Sequence, residues 1–510
     1  MLSALITASA ETNFNFNNYC MKSNIITAKS LRAMGFPESP VIPVVLEAVK
    51  KHLKHTASAD IEAQLKALLQ APENFYNDSV FATAAQKLKP PVEDTTTGCD
   101  ISLNNTGIPF AIYGAHGIEA GAMHQMYTAA KLPVAVAGAL MPDAHQGYGL
   151  PIGGVLATNN AVIPYGVGVD IGCRMCLSIF DIVPTELVQR ENFFTRELLE
   201  ATLFGSGAQF KQPANHAVMD SDVFDALPLL KSLKDRAWRQ LGSSGSGNHF
   251  AEFGAVHIVD ADTLPSVPAG TYIGLLTHSG SRALGANIAA HYTKLAKQLR
   301  RLPGEAANLA WLTLDEEAGA EYWMAMNLAG DYASACHHII HAKVARQLGR
   351  KPLTMVENHH NFAWKETWNG QEVIVHRKGA TPAAAGVLGI IPGSMTAPGY
   401  IVKGRGEMAS VNSASHGAGR LMSRSKAMQN ITHEAMKAEL KKHGVKLLGG
   451  GLDEAPFAYK DIHAVMQEQT SLVDIIGSFQ PKIVQMCGDA QRGWRRGPRE
   501  KWHNDFVEGE

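Results

Sequence analysis

Val167-Gly-Val-Asp170-Ile-Gly-Cys173 sets a carboxylate and a thiolate three residues apart, in a stretch whose glycines let backbone approach closely. Short apolar runs surround this glycine-rich turn, and the same texture governs the chain from about residue 100 onward. Pro133-Val-Ala-Val-Ala-Gly, His257-Ile-Val and Tyr272-Ile-Gly-Leu-Leu-Thr277 read as strands. Asp331 to Leu348 reads as the clearest helix: Tyr332, Ala335, Ile339, Ile340, Val344 and Leu348 share one stripe, and Gly349 suits the position after its end. Strands and helices mixed without regular βα alternation predict an α+β fold rather than a doubly wound sheet.

Residues 1–90 differ in texture. Val44, Val45, Leu46, Val49 and Leu53 fall at helical spacing, Ile61, Leu65, Leu68 and Leu69 repeat it, and Asp60 is the expected N-cap of that second helix. The expected organisation is a helical accessory region (1–90), a linker (91–100) overlapping the run Pro90 to Gly98, a catalytic domain (101–488) and a tail (489–510). The tail interleaves Arg492, Arg495, Arg496, Arg499 and Lys501 with Trp494 and Trp502. Arginines that hold phosphate beside indoles that stack on bases suit a nucleic-acid contact, while five acidic residues in the same stretch suit a solvated terminus.

A formal net charge of −1 over 510 residues excludes a global basic field, so any polyanion site is a local cleft. The six cysteines, at 20, 99, 173, 176, 336 and 487, are too scattered for a disulfide framework. Cys173 and Cys176 form a CxxC, but no second pair completes a zinc ribbon. The apolar start has no preceding Lys or Arg, and no stretch reaches the ~18 apolar residues of a membrane span. A cytoplasmic protein that does not enter the membrane is the expectation.

Asn248-His249, His278 and His360-Asn361 add nitrogen ligands to Asp170 and Cys173. A thiolate, a carboxylate and several imidazoles together point to a transition metal rather than magnesium or calcium. Taken singly, each is better explained as a buried cysteine or a satisfied core histidine, and it is their grouping with Asn248, Glu252 and His360-Asn361 that points to a site. Three glycine loops can offer backbone N–H groups to phosphate: Gly242-Ser-Ser-Gly-Ser-Gly247, Pro392-Gly-Ser-Met395 and Gly417-Ala-Gly419. None has the P-loop order. Arg282, Arg420 and Arg424 follow such loops and suit either phosphate clamps or salt bridges. His416, within Ser413-Ala-Ser-His416-Gly-Ala-Gly-Arg420, suits a nucleophile toward phosphorus or a loop histidine bonded to backbone. Together these residues imply a metal-dependent enzyme acting on phosphate.

From about residue 100 to 488 the chain resembles the RtcB RNA ligases. The matching segments begin with Met141-Pro-Asp-Ala-His-Gln-Gly147, Gly166-Val-Gly-Val-Asp-Ile-Gly-Cys173, Gly245-Ser-Gly-Asn-His-Phe-Ala-Glu252 and His278-Ser-Gly-Ser-Arg282. They continue in family order with His359-His-Asn361, Arg377-Lys-Gly-Ala380, Ile391-Pro-Gly-Ser-Met395, Ser415-His-Gly-Ala-Gly-Arg420 and Asp453-Glu-Ala-Pro-Phe-Ala-Tyr-Lys-Asp461. The resemblance implies one large catalytic domain of stacked mixed sheets flanked by helices.

It further implies that Asp170, Cys173, His249, His278 and His360 bind two manganese ions, with Asp143 near them. GTP would lie among Asn248, His249, Phe250, Ala251, Glu252, His360, Asn361, Pro392, Gly393, Ser394, Met395, His416, Gly417, Ala418, Gly419 and Tyr459. His416 would form a histidine–GMP phosphoramidate, and GMP would pass to an RNA 3′-phosphate for displacement by a 5′-hydroxyl, in tRNA splicing or RNA repair. A 2′,3′-cyclic phosphate would first be hydrolysed. Some relatives depend on a helper protein of the archease type.

Three positions depart from the family pattern. Gly399 replaces a serine, Met486-Cys487-Gly488 stands where a guanine-contacting lysine is usual, and Cys336-His337 replaces Asn-Arg on the long helix. An arginine of the tail such as Arg492 replacing the lysine, or a relaxed nucleotide preference, are the two readings of the second departure. The competing functions are a metal-dependent phosphoesterase that does not ligate, which needs no His416, and a non-catalytic RNA-end binder.

Overall fold

A computed structural model describes residues 26–37, 41–54, 56–88, 98–260, 264 and 266–488. The tail, Arg492 included, lies outside the described residues, as do positions 91–97 of the expected linker. The chain divides into two units, Met1–Pro90 and Pro91–Glu510.

The first unit contains helices Ala28–Met34, Val41–His52, Ser58–Gln70 and Ala82–Lys87. Leu31, Val41, Ile42, Val45, Leu65, Leu68 and Phe81 are buried in its own small core. The N-cap expected at Asp60 falls elsewhere: the helix starts at Ser58 after Ala57, and Asp60 lies in its first turn. A carboxylate there still complements the amino-terminal end of the helix dipole.

In the second unit, eight strands form the larger sheet: β1 (Arg174–Phe180), β2 (Phe250–Ile258), β3 (Gly270–Ser279), β4 (Thr354–His359), β5 (Leu388–Ile391), β6 (Gly399–Gly404), β7 (Lys446–Gly449) and β8 (Val473–Met486). Their order is β4-β1-β3-β2-β8-β6-β5, and β7 joins β8 in the sheet's one parallel pairing. Five further strands, including Ala135–His145 and Gln371–Lys378, make a second sheet, also antiparallel but for one pair. This is the expected α+β arrangement.

Because side chains alternate across a strand, each sheet has two apolar faces. Val155, Ala157, Val373 and Val375 of the smaller sheet pack with Ile391, Val402 and Val473 of the larger, so the two sheets share a core. The opposite face of the smaller sheet, through Leu140, Leu156 and Ile374, packs on helices. On the larger sheet Met175, Leu177, Ile179 and Leu276 take one face; Phe180, Ala251, Phe253, Ile273 and Leu275 take the other, toward helix residues such as Val344.

The long helix runs Glu317–Leu348, beginning well before the expected Asp331. Gly330 hides this continuity, since an interior glycine normally costs a helix about 1 kcal/mol. Here it admits a neighbour: a Cβ on Gly172 would lie 2.8 Å from the Gly330 Cα. The turn that carries Asp170 and Cys173 thus rests directly on the helix, and Arg174 bonds the Gly330 carbonyl at 2.8 Å. Gly349 takes the left-handed conformation that ends the helix, as its position suggests. Among the described residues no helix is long and apolar enough to cross a membrane.

Candidate functional site

Four ends of regular structure meet at one place. Cys173 precedes β1, His249 precedes β2, His278 sits near the end of β3, and His360 follows β4. Antiparallel register sets Met175 opposite His278 and His278 opposite Phe250, so the three neighbouring strands deliver one face to the site. Backbone bonds close the turn onto it: the His360 N–H donates to the Cys173 carbonyl at 3.0 Å and the Gly172 N–H to the Asn361 carbonyl at 2.7 Å.

The donor atoms converge. Cys173 Sγ is 3.4 Å from His249 Nε2 and 3.1 Å from His278 Nε2, which is 3.2 Å from His360 Nε2. Asp170 Oδ2 lies 2.9 Å from His249 Nε2, and Asp170 Oδ1 accepts the Ser281 N–H at 3.1 Å. Gly280 makes this seat possible, since a Cβ there would stand 2.0 Å from the Asp170 carboxylate. Burial pushes His278 down to about 3, helped by nearby His249. Its ring is therefore a neutral donor, and the Asn248 carbonyl 3.1 Å from Nδ1 leaves the Nε2 lone pair facing the cluster. Burial works to raise the Asp170 carboxyl, but hydrogen bonding and charge from His249 hold it below its ordinary value. Cys173, His249 and His278 offer donors within 4.8 Å of one another, and buried His249 Nδ1 and His360 Nδ1 have no hydrogen-bond partner. Sulfur, imidazole and carboxylate at this spacing fit a borderline transition cation.

Beside the cluster opens a cleft, which Cys173, His278, His360 and His416 all line. His416 follows the short strand Ser413–Ser415, and its ring lies 4.9 Å from that of His360. Asp143, fully buried near the end of strand Ala135–His145, accepts from His416 Nδ1 at 2.7 Å and from the His416 backbone N–H at 3.1 Å. A carboxylate accepts only, so Nδ1 carries the proton and Nε2 keeps its lone pair. Burial tends to raise Asp143, yet the hydrogen bond and charge of His416 outweigh it and hold the carboxyl below its ordinary range. The structure thus places Asp143 behind His416 rather than among the metal donors.

Most of the expected nucleotide residues line the cleft: Asn248, Phe250, Glu252, Asn361, Pro392, Gly393, Ser394, Met395, Gly417, Ala418, Gly419 and Tyr459. Ala251 does not, because strand alternation turns it into the apolar cluster on the other face of the sheet. Burial without a compensating charge raises the Glu252 carboxyl well above its ordinary value. Arg420 and Arg424 reach the cleft while held by acidic partners, Arg420 by Glu454 at 3.4 Å and Arg424 by Asp453 at 3.0 Å and by Glu454. Arg282 does not line the cleft: its guanidinium is buried on the Gly205 carbonyl at 2.8 Å and Ser243 Oγ at 3.0 Å, bracing the glycine loop. Cys487 is buried among Phe253 and Ile483, and Met486 lines the cleft.

Lys378 also lines the cleft, its ammonium on the Tyr148 carbonyl at 2.8 Å; the segment Arg377 to Ala380 was its only signal in the sequence. His145, pushed by burial to about 4, also borders the cleft. Pairing of Cys176 with His337 and His341 had no signal, since those residues are separated by the whole middle of the chain.

A metal-ligating cluster beside a histidine of fixed tautomer defines a candidate centre for metal-assisted chemistry. The chain belongs to the RtcB family: the model for tRNA-splicing ligase RtcB matches residues 125–227 and 204–486. It is 32% identical to the RNA-splicing ligase RtcB of Escherichia coli K12, over 76% of this chain and 98% of that protein. The RNA-splicing ligase RtcB of Mycobacterium tuberculosis is 32% identical over 67% of this chain and 95% of its own. The tRNA-splicing ligase RtcB of Nanoarchaeum equitans is 30% identical over 68% and 87% respectively.

Proposed function

We propose that the chain is a GTP- and manganese-dependent RNA ligase that joins an RNA 3′-phosphate or 2′,3′-cyclic phosphate to a 5′-hydroxyl. The observation that carries this reading is His416, whose Nδ1 is bound to buried Asp143 at 2.7 Å and whose ring borders both the donor cluster and the cleft. A phosphoesterase would have the donor cluster but no use for such a nucleophile.

Asp170, Cys173, His249, His278 and His360 would hold the two ions. Bound there, manganese supplies charge neutralisation of phosphate oxygens and polarises the departing oxyanion. His416 Nε2 attacks the α-phosphorus of GTP, forming the N–P bond as the bond to pyrophosphate breaks. Asp143 fixes the ring and stabilises the positive charge that develops on it. The 3′-phosphate oxygen then takes GMP from His416, and the 5′-hydroxyl oxygen displaces GMP to form the phosphodiester. Hydrolysis opens a cyclic phosphate first. The glycine loops at Pro392 to Met395 and Gly417 to Gly419 hold phosphates by backbone N–H groups, and Arg420 and Arg424 add charge at the rim. An archease-type activator belongs to the same proposal, as does a role in RNA repair or tRNA splicing in the cytoplasm.

The test supplies purified protein with Mn²⁺, GTP and an RNA pair bearing a 2′,3′-cyclic phosphate and a 5′-hydroxyl. A joined product that needs GTP supports the proposal. Opening of the cyclic phosphate without joining, with an activator present, identifies the phosphoesterase instead.

A further inference from the structure

The face of the larger sheet opposite the cleft carries a second group of metal donors. Cys176, His337 and His341 are all buried and offer one donor atom each, within 4.8 Å of one another. Regular structure fixes all three. His337 and His341 stand four residues apart on the long helix and so share one face. Cys176 on β1 is the direct cross-strand partner of Thr277 on β3. Thr277 Oγ1 lies 2.6 Å from His337 Nδ1 and 2.8 Å from His341 Nε2.

The remaining ring nitrogens already have the partners that bound imidazoles need. His337 Nε2 lies 3.1 Å from the Ser279 carbonyl, which can only accept, so this nitrogen carries the proton and Nδ1 is a bare lone pair. His341 Nδ1 lies 2.7 Å from Ser178 Oγ, an available acceptor. Metal-bound histidines characteristically donate their second N–H to such oxygens. The Cys176 thiol, by contrast, has no hydrogen-bond partner among the described residues, although the residue is fully buried.

We propose that Cys176, His337 and His341 form a second, structural metal site for a borderline-soft divalent cation, zinc by donor chemistry, with the Thr277 hydroxyl completing it. One thiolate and two imidazoles without a carboxylate suit zinc. The site does not border the cleft, so it fastens the long helix to the sheet behind His278, which Thr277 and Ser279 flank. The alternative is a metal-free relay in which Ser178 donates to His341, His341 to Thr277 and Thr277 to His337. That relay satisfies every imidazole but gives the sulfur no partner.

The test loads the full chain with Co²⁺ in a background lacking Cys20, Cys99 and Cys173, each replaced by serine. The expected result is one tightly held ion with a thiolate-to-metal charge-transfer band in the near ultraviolet, lost on further Cys176→Ser or His341→Gln substitution. A folded background protein without that band, or a band that survives both substitutions, overturns the proposal. Should the background protein fail to fold, zinc counted by mass spectrometry decides. Wild type then holds one more equivalent than His341→Gln, and equal counts overturn the site. None of these outcomes depends on whether the chain ligates RNA.

Discussion

His416 Nδ1 and Asp143 Oδ2 are 2.7 Å apart, although 273 residues separate them in the chain. The carboxylate also accepts the His416 backbone N–H at 3.1 Å, so ring and loop are fixed by one buried group. An Asp143→Asn variant offers an amide in place of that acceptor and releases the tautomer. Single-turnover formation of the histidine–nucleotide adduct is expected to slow by roughly two to four orders of magnitude, the range for positioned acid–base partners. Nucleotide affinity by equilibrium titration should change little, which separates positioning from binding.

Gly280 gives a test of the metal seat that touches no ligand. A methyl at this position would lie 2.0 Å from the Asp170 carboxylate and push it away from His249. Gly280→Ala is expected to weaken manganese binding about ten- to a hundredfold, as loss of ligand positioning does elsewhere. Calorimetric titration with Mn²⁺ reads this directly, and unchanged affinity would contradict the assigned role of Asp170.

The pH dependence of stability follows from buried neutral histidines outside the donor cluster. Burial pushes His376 to about 4, where its Nε2 accepts the Ile163 N–H at 2.9 Å and its Nδ1 donates to the Leu156 carbonyl at 3.0 Å. Below the ordinary histidine value of 6.5, the unfolded chain binds a proton that the folded ring refuses. Stability is therefore fully present above that value and is lost as pH falls toward 4, by about 1.4 kcal/mol per pH unit for each such group. Chemical unfolding measured between these limits should show this slope, made shallower by about one proton in His376→Gln.

Glu252 is the ionisable group to examine for base selection, since it is buried in the cleft wall opposite Val484 of β8. Glu252→Ala is expected to cut the preference among GTP, ATP and CTP in adduct formation about tenfold or more, because a buried hydrogen-bonding group rejects mismatched edges strongly. Equal selectivity in the variant would assign base recognition elsewhere, the tail being the next segment to test.

Local chemistry made much of the candidate site legible in the sequence. Asp170 with Cys173, and His416 with its glycines, carry their donors and their backbone freedom in a few adjacent residues. The strands at Tyr272 and the end of the long helix at Gly349 were legible for the same reason. What was hidden depends on tertiary contact. Nothing local says that Asp143 backs His416, that Arg282 turns inward to the Gly205 carbonyl, or that Ala251 faces away from the cleft while Phe250 faces it. The helix was expected only from Asp331, and the contact that lets Gly330 sit inside it, with Gly172, is remote in sequence.

The measurement closest to the central claim is incubation of the protein with Mn²⁺ and α-labelled GTP beside His416→Ala, followed by a denaturing gel. The account predicts acid-labile, alkali-stable label on the wild-type chain and none on the variant. No label on the wild type with an activator and other nucleotides supplied, or equal label on both, would contradict it.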